Sequence, residues 1–297
     1  MKEIYVLYAL LTALALIIVG YSWRWYGIEH SRTPDEPLRP RALDAVVGFV
    51  TNFFDTLGIG SFASTTAIFK FQKRLPDEHI PGTLNAGYTL PTLVQALIYI
   101  YLLWASVDTL TLVLMIAAAV AGSWIGAGIV AGLPRRAIQF GLGGVLLIAA
   151  SLFFSAGMGW SAAGGTAPGL TGGLLIVGVC ANFVLGALMT LGLGLYGPCL
   201  ILISLLGMDP RAAFPIMMGS CAFLMPVCGL RFIRLQKYNA RAAIGMAVGA
   251  IPGVLIAAFI VKQMDLKYLR WLVVVVALYA SILLLTSAFK RTPTAQR

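Results

Sequence analysis

A chain of 297 residues in which 60% are hydrophobic and 11% are charged is too apolar for an ordinary water-soluble domain. Such domains are about half apolar and about a quarter charged. The net charge of +10 would suggest a nucleic-acid partner in a soluble protein, but the Lys and Arg residues lie between apolar segments, as in cytoplasmic loops of membrane proteins. The composition therefore indicates an integral membrane protein that binds no nucleic acid.

The first predicted element is the apolar run EIYVLYALLTALALIIVGYSW, residues 3–23. A helix of about 20 residues crosses a hydrocarbon core of about 30 Å. The run has no strongly basic start and no small-x-small cleavage site, so we expect a retained transmembrane helix and not a signal peptide. Later runs have the same length and lack strand-like alternation, which predicts an all-α helical bundle.

The second predicted element contains the motif Thr-Leu-Gly-x-Gly, which occurs at residues 56–60 and again at 190–194, 134 positions later. Glycines let the backbone turn within an apolar segment, but the break leaves backbone N–H groups that are costly in lipid. Such a break persists where it lines a cavity. The helices that follow begin near Gly60 and Gly194, and helix N-termini offer free amides and partial positive charge to an anion.

The motif is part of a longer internal repeat. HIPGTLNAGYTLP, residues 79–91, aligns with FPIMMGSCAFLMP, residues 214–226, and the glycines of GSWIG align with those of GAIPG. Internal duplication in membrane proteins is typical of transporters whose site lies between the repeats. The chain divides into an N-terminal helix with a cytoplasmic loop (1–44), a first repeat (45–157), a linker (158–169), a second repeat (170–289) and a cytoplasmic tail (290–297).

The loop charges favour one topology for these repeats. If the segments 45–70 and 174–206 each cross the membrane once, the 21 basic residues divide almost evenly between the two faces. If each segment instead turns back at its glycines, every repeat has three spans and the second is inverted. One face then carries 16 basic residues, as the positive-inside rule expects, and the other carries Lys2, Arg211, Lys262, Lys267 and Arg270. We therefore predict seven spans and two re-entrant hairpins, with the N-terminus outside.

Hydroxyl-bearing and small residues follow each break and lie on the facing helices. Duplicated together with the glycines, they favour a binding site, although any single hydroxyl can simply bond to its own helix backbone. Asn52 and Asn182, on the helices that precede the breaks, are further candidates. The predicted substrate-binding residues are Gly58, Gly60, Ser61, Ser64, Thr65, Asn85, Tyr88, Gly192, Gly194, Tyr196, Gly197 and Ser220.

Asp55 is the acidic residue that lies deep in a predicted membrane segment. A carboxylate there costs about 2.5–3.5 kcal/mol on the insertion scale, and its counterpart in the second repeat is Met189, so the fold does not require it. Because burial favours a neutral carboxyl, we expect Asp55 to be protonated while the anion is bound and to release its proton in the empty or oppositely facing state. The alternative is a structural carboxyl closer to the surface.

The residues around both motifs resemble the sulfite exporter TauE/SafE family of membrane permeases, and the resemblance extends over residues 45–289. The most similar stretch is YGPCLILISLLGMDPRAAFPIMMGSCAFLMP, residues 196–226. The resemblance implies a two-module permease for sulfite, sulfoacetate and related organosulfonates. The first repeat has GIGSFAST where the family is richer in glycine and has a proline. The family's loop positions fall on Gly58, Gly60, Gly192, Gly194, Gly197, Pro198 and Ser220.

These observations predict a secondary transporter of small sulfur-containing anions in a bacterial inner membrane. An anion channel of the same architecture is the alternative, and an intramembrane enzyme is disfavoured because HExxH and paired carboxylates are absent. No catalytic residue, metal or cofactor is expected. The expected partners are the anionic substrate, the lipid bilayer and coupling protons, with a homodimer left open.

Overall fold

The computed structural model describes residues 2–32, 39–76, 78–126, 135–158, 165–189 and 194–289. Within these ranges the named elements are all helical, and α5 continues into a π-helical turn at Gly122–Gly126. The α-helices are α1 Lys2–His30, α2 Ala42–Thr56, α3 Phe62–Gln72, α4 Ile80–Leu102, α5 Thr109–Ala121, α6 Arg135–Gly157, α7 Gly172–Met189, α8 Tyr196–Leu205, α9 Pro210–Arg234, α10 Ala240–Gln263 and α11 Leu266–Phe289.

Length and composition allow six of the described helices to cross a membrane, namely α1, α6, α7, α9, α10 and α11. Helix α4 has 23 residues and is less apolar, because it carries a row of polar side chains that are buried inside the bundle. Large apolar side chains elsewhere on the surface are exposed, as expected where a helix faces lipid. The chain is an all-helical multi-pass membrane protein.

Helices α2 and α3 lie side by side in opposite directions. At one end, the Asp44 carboxylate at the start of α2 forms an ion pair of 2.9 Å with Arg74, which follows α3. At the other end, the Ser61 N–H donates to Asp55 Oδ1 at 2.7 Å. Midway, a threonine from each helix bonds to the Tyr88 hydroxyl. The segment therefore enters and leaves the bundle at the same end, and we call it the first hairpin.

The start of α7 and the end of α8 also lie together. The Ala167 N–H, before α7, donates to the carbonyl of Gly207 at 3.3 Å, and the Asp209 N–H donates to the carbonyl of Ala167 at 2.8 Å. The connecting residues 190–193 lie outside the described ranges. Because the backbone before α7 is joined to the backbone after α8, this segment too returns to the end at which it enters, and we call it the second hairpin.

The two hairpins open at opposite ends of α4. Near the start of α4, Thr83 Oγ1 accepts the N–H of Asn239, which begins α10 beside the mouth of the first hairpin. Beyond its other end, the Asp108 N–H donates to the carbonyl of Pro168, at the mouth of the second hairpin. A helix of this length spans about 34 Å. The mouths are therefore separated by about the thickness of a bilayer.

Each hairpin packs against a helix from the other half of the chain through glycines. Gly249 of α10 lies directly against the carbonyl of Ala45 in α2, and Gly122 lies against the carbonyl of Phe183 in α7, so that neither position has room for a Cβ atom. Such close backbone approach is how small residues join membrane helices. The first hairpin is thus held by α10, and the second by α5 and its π turn.

Helix α1 packs on the bundle through buried leucines in its first half, and its last turns are also hydrogen-bonded to it. The Tyr21 hydroxyl donates to the carbonyl of Ala86 at 3.0 Å, and Trp25 Nε1 donates to the Tyr238 hydroxyl at 3.1 Å. Tyr238 in turn donates to the carboxylate of Glu29. Burial raises the pKa of the Tyr238 phenol well above its usual value, so the phenol remains a donor. These bonds fix α1 beside the loop between α9 and α10.

Candidate functional site

The tip of the first hairpin is a glycine turn. Gly58 and Gly60 have φ of 94° and 89°, in the left-handed region that favours glycine, and the Gly58 N–H donates to the carbonyl of Asp55 at 2.8 Å. A Cβ atom on Gly58 would lie 3.3 Å from the side chain of Leu200 in α8. The glycines therefore break the helix where the sequence predicts, and the first tip contacts the second hairpin.

The carboxylate of Asp55 lies at the start of α3. Its Oδ1 accepts the N–H of Ser61, the N-cap residue of α3, and its Oδ2 accepts from Gln95 Nε2 at 3.0 Å. Only 4% of Asp55 is exposed. A helix N-terminus attracts negative charge. At the start of α3, the carboxylate of Asp55 supplies this negative charge.

Gln95 of α4 joins the first hairpin to the second. Its Nε2 also donates to Thr56 Oγ1 at 2.9 Å, while its Oε1 accepts from the Tyr196 hydroxyl at 3.1 Å. Tyr196 is the first residue of α8. Gln95 is not among the residues that the sequence pattern indicates, although an uncharged amide within a span of the bundle is the kind of polar residue that marks membrane sites. One amide therefore connects Asp55 to the start of α8.

The start of α8 differs from the start of α3. Met189 stands in the place of Asp55, and the thiol of Cys221 donates to its sulfur at 3.6 Å. Gly194 has an ordinary φ, and no atom of the described chain lies within 4 Å of a Cβ placed on it. Gly197 packs against Ala280 of α11, whereas Gly192 lies outside the described residues. This helix start has open space at Gly194 and no described carboxylate corresponding to Asp55.

The predicted hydroxyls of the first hairpin bond within the protein. Ser64 and Thr65 both donate to the carbonyl of Ser61, at 2.9 and 2.8 Å. The Tyr88 hydroxyl lies 2.7 Å from Thr51 Oγ1 and 2.6 Å from Thr65 Oγ1. The bonds to Tyr88 hold both helices of the hairpin to α4, which is a structural role. A substrate could contact these hydroxyls only by displacing the bonds.

The predicted polar residues on α4 and α9 face their own backbones. Asn85 Nδ2 donates to the carbonyl of Pro81 at 2.8 Å, and the Ser220 hydroxyl donates to the carbonyl of Ile216 at 2.7 Å. Ser220 Oγ also lies 3.4 Å from Asn182 Nδ2. Ser220 is fully buried, and Asn85 is half-buried. Asn85 is not joined to the Asp55–Gln95–Tyr196 chain by any described hydrogen bond.

Two buried asparagines have unpaired atoms. Neither polar side-chain atom of Asn52 has a hydrogen-bond partner in the described part of the chain, and Asn182 Oδ1 also lacks one there. Both residues are fully buried. An unpaired buried polar group costs about 1–3 kcal/mol. The first helix of each hairpin therefore carries an amide that has capacity for a ligand or an ordered water.

A family model described as sulfite exporter TauE/SafE matches residues 2–153 and 174–297 of the chain. The two matched ranges include both hairpins and all the described helices, apart from the ends of α6 and α7 that border the interval between the ranges. No curated protein and no solved structure matches the chain.

Proposed function

Because the chain belongs to the sulfite exporter TauE/SafE family, it is a membrane transporter, and we propose that it carries small sulfur-containing anions such as sulfite or sulfoacetate across a bacterial inner membrane. The anion binds between the hairpin tips, at the start of α8. The family is one of transporters and not of enzymes. The observation that carries the proposal is the unequal charge at the two hairpin tips.

The difference between the tips concerns which helix N-terminus is already neutralised. At α3 the Ser61 amide is bonded to the carboxylate of Asp55, whereas at α8 the corresponding residue is the neutral Met189. A helix N-terminus carries about half a positive charge. An anion that enters the bundle therefore gains most at α8, where no atom of the described chain lies within 4 Å of a Cβ placed on Gly194 and where Tyr196 is the first helical residue.

The proton-coupling part of the proposal rests on how Asp55 is held. Both of its oxygens face donors, the Ser61 amide and Gln95 Nε2. A protonated Asp55 needs an acceptor, which the backbone amide cannot supply but the Ser61 hydroxyl, also bonded to the carboxylate, can. The Gln95 side chain can as well, because turning its amide over presents Oε1 to Asp55 and Nε2 to the Tyr196 hydroxyl. Proton uptake at Asp55 is thereby transmitted to the first residue of α8.

Charge repulsion gives this coupling its direction. An anion at the start of α8 is linked to Asp55 through two side chains, Tyr196 and Gln95. Repulsion between like charges in a buried site favours the neutral form of the carboxyl. Asp55 is accordingly protonated while the anion is bound and ionised when the site is empty.

We further propose that the two halves of the chain are inverted repeats, with seven spans and the N-terminus outside. Two features support this arrangement. The hairpin mouths lie at opposite ends of α4, and the packing is reciprocal, with α2 against α10 and α7 against α5. Transporters of this design hold their substrate at the interface between the repeats.

Labelling of single cysteines tests the inverted arrangement. Gln72→Cys at the end of the first hairpin and Thr166→Cys before the second should react with a membrane-impermeant maleimide from opposite sides, each in a chain whose native cysteines are replaced by Ala. We expect Gln72→Cys to be labelled from the cytoplasm, because its mouth carries the basic residues. Labelling of both positions from the same side contradicts inversion. Retained transport by the Ala-substituted chain is the control.

A thermal-shift experiment on purified protein tests the anion site. Sulfite or sulfoacetate should raise the melting temperature of the wild type, since a ligand at 100 times its Kd adds about 2.7 kcal/mol of stability. Gly194→Val should fold, because Gly194 has an ordinary φ and open surroundings within the described chain, but it should lose the shift because the branched side chain covers the amides of α8.

The matched control is Gly20→Val, at an exposed glycine of α1 where no described atom lies within 4 Å of the place that a Cβ atom would take. It should keep the full anion-induced shift. Gly60→Val is the contrasting case, because a φ of 89° strains any β-branched residue and should lower the melting temperature without anion. A Gly194→Val variant that responds to sulfite as the wild type does rules out the start of α8 as the site.

A further inference from the structure

A positively charged cavity lies far from the hairpin tips, at the mouth of the first hairpin. Its volume is about 110 Å³, and its lining includes Arg41, Asp44, Arg74, Asn239 and Arg241. At about 30 Å³ per water molecule, this volume corresponds to between three and four waters, which is enough space for a small oxyanion. The three arginines come from the start of α2, the end of α3 and the first turn of α10.

Charge in this cavity is not balanced by the residues that line it. Asp44 pairs with Arg74 at 2.9 Å, and both are largely removed from solvent, with side-chain exposures of 2% and 15%. Arg41 and Arg241 add two positive charges, and the described lining residues include no second carboxylate. The Nε atom of Arg241 is buried and has no hydrogen-bond partner in the described ranges. Arg241 as a whole is only partly buried and Arg41 is exposed, so the unpaired group is this single Nε–H, for which an oxyanion would supply an acceptor.

Two helix N-termini add to the positive field. Helix α2 begins directly after Arg41, and α10 begins directly after Asn239, so the first turns of both helices border the cavity. Asp44, in the first turn of α2, already uses part of this field. Guanidinium groups bind carboxylate, sulfate and phosphate oxygens through two parallel hydrogen bonds. The cavity therefore suits an oxyanion with at least two accepting oxygens.

We propose that this cavity is a second anion site, which takes a small free oxyanion or the phosphate of a lipid headgroup. The bound anion competes with Asp44 for Arg74. Because the Asp44–Arg74 ion pair joins the start of α2 to the end of α3, anion binding loosens the mouth of the first hairpin. The second hairpin is joined at its mouth by backbone hydrogen bonds, which an anion does not displace. The proposal needs only the cavity and is independent of the substrate carried at α8.

The competition predicts opposite effects for two substitutions. Arg241→Gln removes a ligand and should weaken the binding of sulfate by about tenfold, the size of a lost charge-assisted hydrogen bond. Asp44→Asn removes the competing carboxylate and should tighten the binding of sulfate. A merely structural role of the cluster would destabilise both variants without separating their affinities. Both substitutions are made in the Gly194→Val variant, so that sulfate binding at the start of α8 does not contribute to the measured affinity.

The measurement is the melting temperature of the full chain in lipid-free detergent, titrated with sodium sulfate against sodium chloride at equal ionic strength. A second arm replaces sulfate by short-chain phosphatidylglycerol, with a galactolipid that lacks phosphate as its control. A saturable shift with sulfate identifies a free oxyanion, and a shift with phosphatidylglycerol alone identifies the lipid phosphate. The proposal is overturned if neither ligand shifts Gly194→Val, or if Asp44→Asn weakens binding as Arg241→Gln does.

Discussion

Asp55→Asn should keep anion binding and lose the response of transport to a pH gradient. An Asn side chain is neutral at every pH and therefore resembles the protonated carboxyl. In the proposed transporter it leaves the charge at α8 unopposed, so sulfite should still raise the melting temperature. The wild type should accumulate sulfite faster when a pH gradient is imposed, and the variant should be indifferent to the gradient.

The surroundings of Asp55 can accommodate this change if the Gln95 amide turns over, which gives up its bond to Thr56 Oγ1 and makes the Tyr196 hydroxyl an acceptor. The Asn Oδ1 can still accept the N–H of Ser61, but its Nδ2 faces the Nε2 of Gln95, and two donors cannot bond to each other. The Gln95 amide must turn over, as it does in the proposed protonated state. Other titratable side chains around Asp55 are Tyr99, whose hydroxyl donates to the carbonyl of Thr56, together with Tyr88, Tyr196 and Cys221.

Sulfite flux into proteoliposomes, with and without the gradient, checks this prediction. Asp108→Asn is the matched control. Asp108 is the N-cap residue of α5, and Asn caps a helix equally well. It should keep the wild-type response. An Asp55→Asn variant that still responds to the gradient leaves Asp55 as a structural carboxyl. Wild-type flux that never exceeds passive equilibration, with or without a gradient, indicates the anion channel instead.

Gly249→Leu should prevent the first hairpin from docking and should lower stability by more than about 3 kcal/mol, the upper end of ordinary overpacking. A Cβ atom on Gly249 would clash with the carbonyl of Ala45, which is backbone and cannot rotate away. The measurements are the melting temperature and the yield of monodisperse protein. Val248→Leu, at an adjacent residue that is 60% exposed, should behave as the wild type.

The counterpart of Gly249 in the first repeat gives an independent check. Gly122 lies against the carbonyl of Phe183, so Gly122→Leu should disturb the second hairpin in the same way. If either substitution alone already prevents assembly of the bundle, the double variant should have a melting temperature and yield little lower than those of each single variant. A Gly249→Leu chain that melts at the wild-type temperature contradicts the close packing of α2 on α10.

The helical fold could be predicted from the sequence because its determinants are local. Apolar length indicates helices, and the glycines of Thr-Leu-Gly-x-Gly mark the break, where Gly58 and Gly60 have positive φ. The way in which α2 lies on α10 is different. Gly249 and Ala45 are far apart in the chain, and nothing in a glycine specifies which backbone will approach it.

The candidate site was less accessible to sequence reasoning, because hydrogen-bond partners depend on tertiary geometry. The sequence indicates that Asp55 is unusual, but not that its carboxylate bonds to the Ser61 amide or that Gln95 holds it. Gln95 follows the aligned stretch that ends at Pro91, so the repeat does not draw attention to it. The predicted roles of Ser64, Thr65, Tyr88, Asn85 and Ser220 in substrate binding stay predictions.

The arginines of the cavity at the mouth of the first hairpin also come together only through tertiary geometry. In the sequence, Arg41, Arg74 and Arg241 enter only as members of the basic set that orients the chain. Folding of the first hairpin brings the first two together, and the start of α10 adds the third. Charge counting along a chain therefore gives the sidedness of these residues but not their convergence.

The packing of α2 on α10 also affects how the protein is made. The ribosome synthesises about 190 residues after α3 before α10 is complete, which takes about 10–40 s at 5–20 residues per second. During that time α2 lacks the helix whose Gly249 packs against it, although Asp55 can already bond to Ser61 and Gln95. Helix α7, in contrast, emerges after α5 has already been translated. The first hairpin therefore has the longer interval between its own synthesis and that of the helix on which its glycine contact depends.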